Sequence, residues 1–361
     1  MLIKNTLSNF KKKYGDIKIN LRNKYIKFKI KNKFNENDRY YNYMYINTKI
    51  IHGKNEIKYR KNEAIVLCLV RDGETWIKDF IEHYRRLGFK HIVFLDNGSK
   101  DKTIEIAKKH KNITILKTNV PFKGNNIFLR RCLVKRFAED KWSLTADIDE
   151  LWNYPYSEKI PLSKFLEYLN KQGANVVVAQ MLDMFQEKIP EKKIPLASYN
   201  LYDVSDFKKF PLEGMCPHGF KYDKILNKSI LYLEGGIRKT LFDAKGVWLT
   251  KMPLLFNNSI LRPLRHQHFS NRGVIADVST VLLHYKFTEN FKEKIDDALK
   301  EKQYCGDSVD YKKYAEVMYK NPLINLKTKN SKKLENINQL IDDKFIVVSN
   351  KYKKWVEDNT Q

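Results

Sequence analysis

Between residues 64 and 153, short apolar segments alternate with segments of helical periodicity, and this alternation constrains the fold more than any other feature of the sequence. Residues 64–70 form a continuous apolar run, which is typical of a strand buried on both faces. Further strands are predicted at 91–95, 113–116 and from Trp142 onward, and helices at 75–88, 101–110 and 125–140. Because short links join strands and helices in alternation, the sequence predicts an α/β fold whose sheet is parallel with right-handed crossovers.

The fourth predicted strand ends in three carboxylates within four residues, Asp147, Asp149 and Glu150. Residues i and i+2 of a strand point to the same side, so we expect Asp147 and Asp149 to aim at one point. Two hard oxygen ligands suit Mg²⁺ or Mn²⁺, which keep several waters and take other ligands from substrate phosphates. In an open parallel sheet, ligands bind outside the carboxyl ends of the strands. The pattern therefore predicts a metal at this edge, although Asp-x-Asp by itself also occurs in solvated loops.

A second acidic residue, Asp96, ends the second predicted strand and should lie at the same edge of the sheet. A carboxylate there is well placed to bind a base or a ribose, and a metal held by the later pair can neutralise a pyrophosphate. Together these positions predict a site for a nucleoside diphosphate that carries a leaving group, with the metal stabilising the departing charge.

Charge is distributed unevenly along the 361 residues, whose formal net charge is +26. Residues 1–63 hold 17 Lys and Arg against 5 Asp and Glu, a net charge of +12. Such an excess suits an anionic membrane surface, an anionic substrate or a nucleic acid. No window approaches the roughly 20 apolar residues of a transmembrane helix, and no signal-peptide core precedes the first lysines. We therefore expect a cytoplasmic protein whose basic N-terminus can hold it peripherally at the inner membrane face.

Residues 63–153 resemble the nucleotide-sugar half of family-2-like glycosyltransferases. The resemblance rests on an arginine at the end of the first strand, a helix ending Leu-Gly-Phe, the sequence FLDNGSKDKT at 94–103 and the sequence DIDE at 147–150. It implies the glycosyltransferase A-type fold, in which Asp-x-Asp binds Mn²⁺ or Mg²⁺ and the diphosphate of a sugar donor. A looser resemblance continues through LDMF at 182–185, GGIR at 235–238 and LHYKF at 283–287.

The resemblance implies a division of the chain and a set of donor contacts. We predict a basic extension at 1–62, a nucleotide-sugar-binding half at 63–153, an acceptor-binding half of the same catalytic domain at 154–290, and a helical C-terminal region at 291–361. In the donor site, Asp147 and Asp149 would hold the metal and the diphosphate, with His284 completing the metal shell. Asp96 would contact the uracil or ribose and Arg71 the nucleotide, although the loop at 71–74 departs from the usual Asn-Glu pair. Arg130 and Arg131 would either reach phosphate or face solvent.

Direct displacement with inversion, which the resemblance implies, requires a general base near the acceptor hydroxyl. Asp183 is the first candidate and Glu234 the second, and either could instead be an ordinary hydrogen-bonding residue. Gly235 and Gly236 are expected to permit a tight backbone turn beneath the donor sugar or the acceptor.

The predicted function is metal-dependent transfer of a sugar from a nucleotide-sugar donor, with UDP as the expected nucleotide, to a glycan or lipid-linked acceptor in surface polysaccharide synthesis. One alternative is a sugar nucleotidyltransferase, which should carry a glycine-rich phosphate loop after the first strand; residues 71–74 are not such a loop. Another is a basic nucleic-acid-binding protein, but the basic residues are spread along the chain and no nucleic-acid-binding motif occurs.

Overall fold

The computed structural model describes residues 36–258, 260–261, 263–264, 267–301 and 305–360. Most of the predicted basic extension, 1–35, lies outside the described residues. The chain forms two compact units, Met1–Lys49 and Ile50–Gln361. The described part of the first unit contains helix α1, Glu36–Ile46, and the start of strand β1, Thr48–His52. In the described ranges, no helix is both long and apolar enough to cross a membrane.

The second unit is a mixed α/β structure in which strands and helices alternate through residue 153. Its strands are β2 (Ala64–Val70), β3 (Ile92–Asp96), β4 (Ile113–Thr118), β5 (Trp142–Thr145), β6 (Glu150–Asn153), β7 (Val176–Asp183), β8 (Leu201–Tyr202), β9 (Phe207–Pro211), β10 (Lys224–Ile225), β11 (Leu231–Gly235), β12 (Thr250–Phe256), β13 (Pro263–Leu264), β14 (Phe269–Ser270), β15 (Val274–Ile275), β16 (Thr280–His284) and β17 (Lys332–Lys333). Its helices are α2 (Ile77–Arg86), α3 (Thr103–Lys108), α4 (Asn126–Phe137), α5 (Leu162–Gln172), α6 (Ile237–Phe242), α7 (Phe291–Glu301), α8 (Cys305–Lys320), α9 (Gln339–Asp342) and α10 (Asn350–Asn359).

The central sheet is mainly parallel, which confirms the predicted fold class. Part of its strand order is β4-β3-β2-β5-β12-β7. Strands β4, β3, β2 and β5 are parallel to one another, and β12 is antiparallel to both β5 and β7. The far edge of β7 pairs in parallel with β15 and then β16. Since β12 reverses direction between β5 and β7, the carboxyl ends of β5, β7 and β16 lie at one edge of the sheet.

The direction of the strand order reverses at β2. The chain proceeds from β2 to β3 to β4 on one side, and β5 then returns to the other side of β2. The switch point of the strand order therefore lies between β2 and β5, and ligands of open α/β sheets bind in the crevice at the carboxyl edge beside it. The segments after β2, β3 and β5, with their acidic residues, border this crevice.

The fourth predicted strand is shorter than expected, and this changes the geometry of its acidic residues. Strand β5 ends at Thr145, and a turn covers the acidic triplet, with the Glu150 amide donating to the Asp147 carbonyl at 3.0 Å. Strand β6 then pairs with β16, so the chain changes neighbours within the turn. The prediction that Asp147 and Asp149 lie on one strand is wrong, and the i, i+2 rule, which applies only within a strand, therefore does not orient their side chains.

The C-terminal region is helical, as predicted, and its last helix packs on the core. Tyr352 of α10 is fully buried, with its ring centroid 5.1 Å from that of Tyr168 in α5. Its hydroxyl donates to the Pro155 carbonyl at 2.8 Å. Residues near the end of the chain therefore cover the helix that precedes β7.

Candidate functional site

The loops after β2 and β3 are joined by reciprocal hydrogen bonds. The Asp72 amide donates to the Ser99 hydroxyl at 3.0 Å, and the Lys100 amide returns to the Asp72 carboxylate at 2.7 Å. The Glu74 amide donates to the Asp101 carboxylate at 2.8 Å. The polar residues of the 96–103 loop therefore hold the 71–74 loop in place at the crevice.

Gly73 lets the acidic turn pack against the loop after β2. A Cβ atom at this position would lie 2.8 Å from Cγ2 of Val70 and 2.9 Å from Cγ1 of Ile148. Contacts this short do not occur between well-packed carbon atoms, so a side chain here would push the turn away. Ile148 points into this contact, between the two aspartates of the turn. The three loops at the crevice thus form one packed group.

Asp96 and Arg71, both predicted donor contacts, are engaged within the protein. Asp96 is only 1% exposed, and its carboxylate accepts from the amides of Gly98 at 3.3 Å and Ser99 at 3.0 Å. The guanidinium of Arg71 donates to both carboxylate oxygens of Glu301, the last residue of α7, at 3.0 and 3.1 Å. In this geometry Asp96 shapes its own loop and Arg71 ties the β2 loop to α7; their donor contacts stay predictions.

Asp147 lies between two buried cations. Its Oδ1 accepts from Nη2 of Arg130 in α4 at 2.5 Å, and its Oδ2 accepts from Nζ of Lys251 in β12 at 3.1 Å. The side chains of Arg130 and Lys251 are 3% and 5% exposed, whereas Asp147 is 34% exposed. Burial opposes ionisation of Asp147, but the two cations prevail and hold its pKa well below the ordinary value. Arg130 thus does not face solvent; it neutralises the first aspartate of the motif.

Lys251 also holds Glu150, which braces the turn. Nζ of Lys251 donates to Oε1 of Glu150 at 2.5 Å, and Oε2 of Glu150 accepts the amide of Asp147 at 3.1 Å. Burial raises the pKa of Glu150 despite this cation. The reversed direction of β12 brings its first residues to the carboxyl edge of β5, where the acidic turn lies. Lys251 is not among the residues predicted for the site; its signal in the sequence is a lysine inside the apolar segment TKMPLLF.

Asp149 faces a different set of groups. Its Oδ2 lies 3.6 Å from Nε2 of His284, and its side chain is 20% exposed. Nδ1 of His284 contacts Oδ1 of Asp183 at 2.5 Å, and Nε of Arg238 donates to Oδ2 of Asp183 at 2.8 Å. The strand register explains the middle contact, because His284 and Asp183 are direct partners across β16 and β7. The fold thus aligns Asp149, His284, Asp183 and Arg238 in one chain.

The charged forms of these neighbouring side chains stabilise one another. Burial lowers the pKa of His284, but its interactions with the carboxylates of Asp149 and Asp183 outweigh burial and raise it. Burial opposes ionisation of Asp183, yet Arg238 and His284 hold its pKa at about 2. The pKa of Asp149 is also lowered, against burial, by its interaction with His284. Both aspartates are therefore carboxylates at neutral pH.

Asp149 and His284 fit a divalent metal, whereas Asp147 does not in this arrangement. A separation of 3.6 Å between Oδ2 and Nε2 is longer than an ordinary hydrogen bond and suits two atoms that share an ion at roughly 2.1 Å from each. Both oxygens of Asp147 are taken by Arg130 and Lys251. Within the described ranges, no three His, Cys, Asp or Glu side chains surround one metal position. Two protein ligands nevertheless suffice for Mg²⁺ or Mn²⁺, which take other ligands from water and phosphate.

The two glycines before α6 permit the turn that the sequence analysis expected. Gly235 and Gly236 have φ values of 127° and 78°, which residues with a Cβ rarely adopt. A Cβ at Gly235 would lie 2.6 Å from the carbonyl oxygen of Asp206. Glu234 precedes this turn and pairs with Lys208 across β11 and β9. The turn starts the helix that carries Arg238 to Asp183, and the catalytic role of Glu234 stays a prediction.

A further cation, Lys294 of α7, lies near the acidic turn. Its Nζ is 3.6 Å from the ring centroid of Trp76, whose indole nitrogen donates to the Tyr285 carbonyl at 3.0 Å. Burial lowers the pKa of Lys294 to about 8, and the nearby Asp149 carboxylate opposes this shift. Lys294 is not among the residues predicted for the site. It is one of several charged residues in the helix FKEKIDDALKE, and no local pattern distinguishes it from the others.

Comparisons with known proteins found structural likenesses of low similarity. A crystal structure of residues 1–349 of TarS from S. aureus aligns with a TM-score of 0.33 and 11% identity, over 72% of this chain and 73% of that one. A longer TarS structure aligns at 0.32 and 12% identity, over 71% of this chain and 43% of its own length. A UDP-glucose pyrophosphorylase from Acinetobacter baumanii aligns at 0.23 and 12% identity, over 42% of this chain and 64% of that one. No family model and no curated protein matches the sequence.

Proposed function

We propose that this chain is a metal-dependent glycosyltransferase that uses a nucleotide-sugar donor. The observation that carries the proposal is the pair formed by Asp149 Oδ2 and His284 Nε2, 3.6 Å apart at the crevice where the strand order reverses. An oxygen and an imidazole nitrogen facing one point are a suitable partial ligand set for Mn²⁺ or Mg²⁺. A metal bound there would supply charge to stabilise a departing nucleoside diphosphate.

The protein's own cations lie beside the carboxylates of the acidic turn, two at Asp147 and one near Asp149. Arg130 and Lys251 neutralise Asp147, so the turn does not present two adjacent unpaired carboxylates to an anionic donor. Lys294 adds a cation near Asp149. These charges favour a diphosphate, because fixed cations in a partly buried site cost no reorganisation when negative charge develops. We propose UDP as the nucleotide, from the resemblance of residues 63–153 to family-2-like glycosyltransferases.

The proposed reaction is direct displacement with inversion at the anomeric carbon. The acceptor hydroxyl oxygen forms a bond to that carbon, the bond to the diphosphate oxygen breaks, and the hydroxyl proton passes to a general base. Of the two predicted bases we retain Glu234. Asp183 is a poor base, because its two oxygens accept from His284 and Arg238 and its pKa is about 2.

The proposals for the acceptor and for the location of the protein rest on the sequence alone. We propose a glycan or lipid-linked acceptor in surface polysaccharide synthesis, held near an anionic membrane by the basic N-terminal residues. This membrane role concerns residues outside the described ranges and stays a prediction; flotation with anionic, but not neutral, liposomes would support it.

The donor site is tested by calorimetry without an acceptor. UDP, GDP, CMP and several UDP-sugars are titrated into the protein with Mn²⁺ or with EDTA. We expect one nucleotide to bind only with Mn²⁺, and Asp149→Asn to weaken that binding at least tenfold because it removes a charged ligand. Asp358→Asn, at an exposed position of α10, is the matched control and should bind as wild type. Folded wild-type protein that shows no metal-linked nucleotide binding would overturn the proposal and favour the basic nucleic-acid-binding alternative.

A further inference from the structure

We infer that Asp183 and Arg238 are positioning residues that fix the imidazole of His284 with Nε2 facing Asp149. The inference rests on the proposed function, because it assigns these residues to the metal ligand rather than to proton transfer. Asp183, Arg238 and His284 come from three separate sequence segments, LDMF, GGIR and LHYKF. The inference gives these segments a common function, which the proposed reaction by itself does not.

The contacts of His284 with its neighbours define one orientation of the imidazole ring. Asp183 and His284 are buried, and they are direct partners at the carboxyl ends of the parallel strands β7 and β16. Nδ1 of His284 is 2.5 Å from Oδ1 of Asp183, whereas Nε2 is 3.6 Å from Oδ2 of Asp149. The shorter contact joins two buried side chains, whereas the longer one leads to Asp149, whose side chain is 20% exposed. The ring therefore presents Nε2 to any ligand of the site.

The chemistry of imidazole explains why the inner contact matters. A carboxylate that accepts from Nδ1–H leaves the lone pair of Nε2 available to a metal, fixes the ring orientation and makes the ligand more basic. Arg238 adds a second constraint, because its Nε donates to the other oxygen of Asp183 at 2.8 Å. With both oxygens engaged, the carboxylate cannot rotate away from the ring, and the buried negative charge is paired.

The backbone before Arg238 is built to deliver this contact. Gly235 and Gly236 adopt positive φ values and begin α6, and Arg238 is the second residue of that helix. The Gly236 amide donates to the Asp206 carbonyl at 2.8 Å, which anchors the turn. The neighbouring Lys239 contacts Asp206 instead of the buried chain. Two adjacent basic residues on one helix thus have different partners, which provides an internal control.

The inference is tested by measuring Mn²⁺ affinity by electron paramagnetic resonance of the free ion, with and without UDP. Asp183→Asn and Arg238→Met should each weaken Mn²⁺ binding about 10- to 100-fold, the usual effect of losing an outer-shell partner. Arg238→Lys, which keeps the cation, should retain more affinity than Arg238→Met. Lys239→Met should bind Mn²⁺ as wild type does. If both Asp183→Asn and Arg238→Met bind Mn²⁺ with wild-type affinity, the inference is overturned and the proposed function stands.

A second measurement reads the position of the imidazole proton in wild-type protein and uses a variant only to assign the signals. In wild-type protein with ¹⁵N-labelled histidine and saturating Mg²⁺, the His284 signals, assigned by their loss in His284→Gln, should show the proton on Nδ1. A proton on Nε2 instead would overturn the inference. Wild-type protein that binds no Mn²⁺, with or without UDP, would overturn the proposed function and this inference with it. The two failures therefore give different results.

Discussion

Lys251 connects two carboxylates that could not otherwise be buried side by side. Its ammonium contacts Asp147 at 3.1 Å and Glu150 at 2.5 Å, and the lysine side chain is 5% exposed. A buried charge is tolerated only when it is paired, and removing one partner leaves the other uncompensated. This single residue therefore determines both the stability and the shape of the acidic turn.

Replacing Lys251 by methionine should lower the free energy of unfolding by about 3 kcal/mol, the lower end of the range for breaking a buried pair. The lower end applies because Asp147 is one-third exposed and keeps Arg130. Urea unfolding measures the effect. Adding Glu150→Gln to Lys251→Met should restore part of the loss, since the uncompensated carboxylate is then absent. Lys164→Met, which breaks a surface pair with Glu167, should cost under about 1 kcal/mol; equal effects at the two lysines would contradict the prediction.

At the scale of elements, the loop after β3 acts as a scaffold for the loop after β2. Asp101 accepts from the Thr103 amide at 3.0 Å and the Thr103 hydroxyl at 2.5 Å, and its other oxygen accepts from the Glu74 amide. The Thr103 hydroxyl in turn accepts the Gly73 amide at 2.7 Å. The sequence FLDNGSKDKT is one of the features that carry the family resemblance. In the structure, its polar side chains mainly form hydrogen bonds that hold the neighbouring loop in place.

Asp101→Ala should loosen the loop after β2 without unfolding the sheet. The amides of Glu74 and Thr103 lose their acceptor, the Asp101 carboxylate. The amide of Gly73 keeps its acceptor, the Thr103 hydroxyl, but that hydroxyl loses its own bond to Asp101. We therefore expect hydrogen exchange at these three amides to accelerate at least tenfold. Exchange in β2 should not change. Lys102→Ala is the matched control, because the neighbouring lysine uses only its backbone amide in this network. Protection at 73–74 that is the same in Asp101→Ala as in wild type would show that these hydrogen bonds do not hold the loop.

At the scale of the whole molecule, two buried neutral histidines tie the stability of the fold to pH. His83 of α2 contacts the Trp152 carbonyl at 2.7 Å, and His91, just before β3, contacts the Thr114 hydroxyl at 2.9 Å. Burial lowers the pKa of each to about 4. His83 links α2 to β6, His91 links the parallel strands β3 and β4, and neither histidine belongs to the proposed site.

The unfolded chain, with histidine pKa values near 6.5, binds these protons more readily than the folded chain, so stability should fall as pH drops from about 6.5 to 4. His83 alone accounts for roughly 3 kcal/mol of this loss at pH 4. Thermal unfolding between pH 4.5 and 7.5 measures it. His83→Gln should flatten the profile, and His83→Gln/His91→Gln should flatten it further. A double variant whose profile keeps the wild-type slope would show that other groups control the acid sensitivity.

Local patterns in the sequence were sufficient to predict the parallel half of the sheet. The apolar run 64–70 became β2 without a shift, because an uninterrupted apolar segment can be buried only between two covered faces. Predicted segments at 91–95 and 113–116 became β3 and β4 with small changes at their ends. Of the proposed metal pair, Asp149 was identified from its position after a predicted strand, and His284 from the family resemblance of the segment LHYKF at 283–287.

Tertiary structure alone decided which charges meet. Lys251 lies 104 residues after Asp147, and His284 lies 101 residues after Asp183. Hydrophobic periodicity is local and carries no information about which strand will lie beside another, so it could not show that β12 reverses direction and brings Lys251 to the acidic turn. The sequence by itself determined the strands, the sheet edge and the acidic motif. Strand pairing determined that Asp147 faces protein cations while Asp149 faces His284, because side chains so distant in sequence meet only through the register of the sheet.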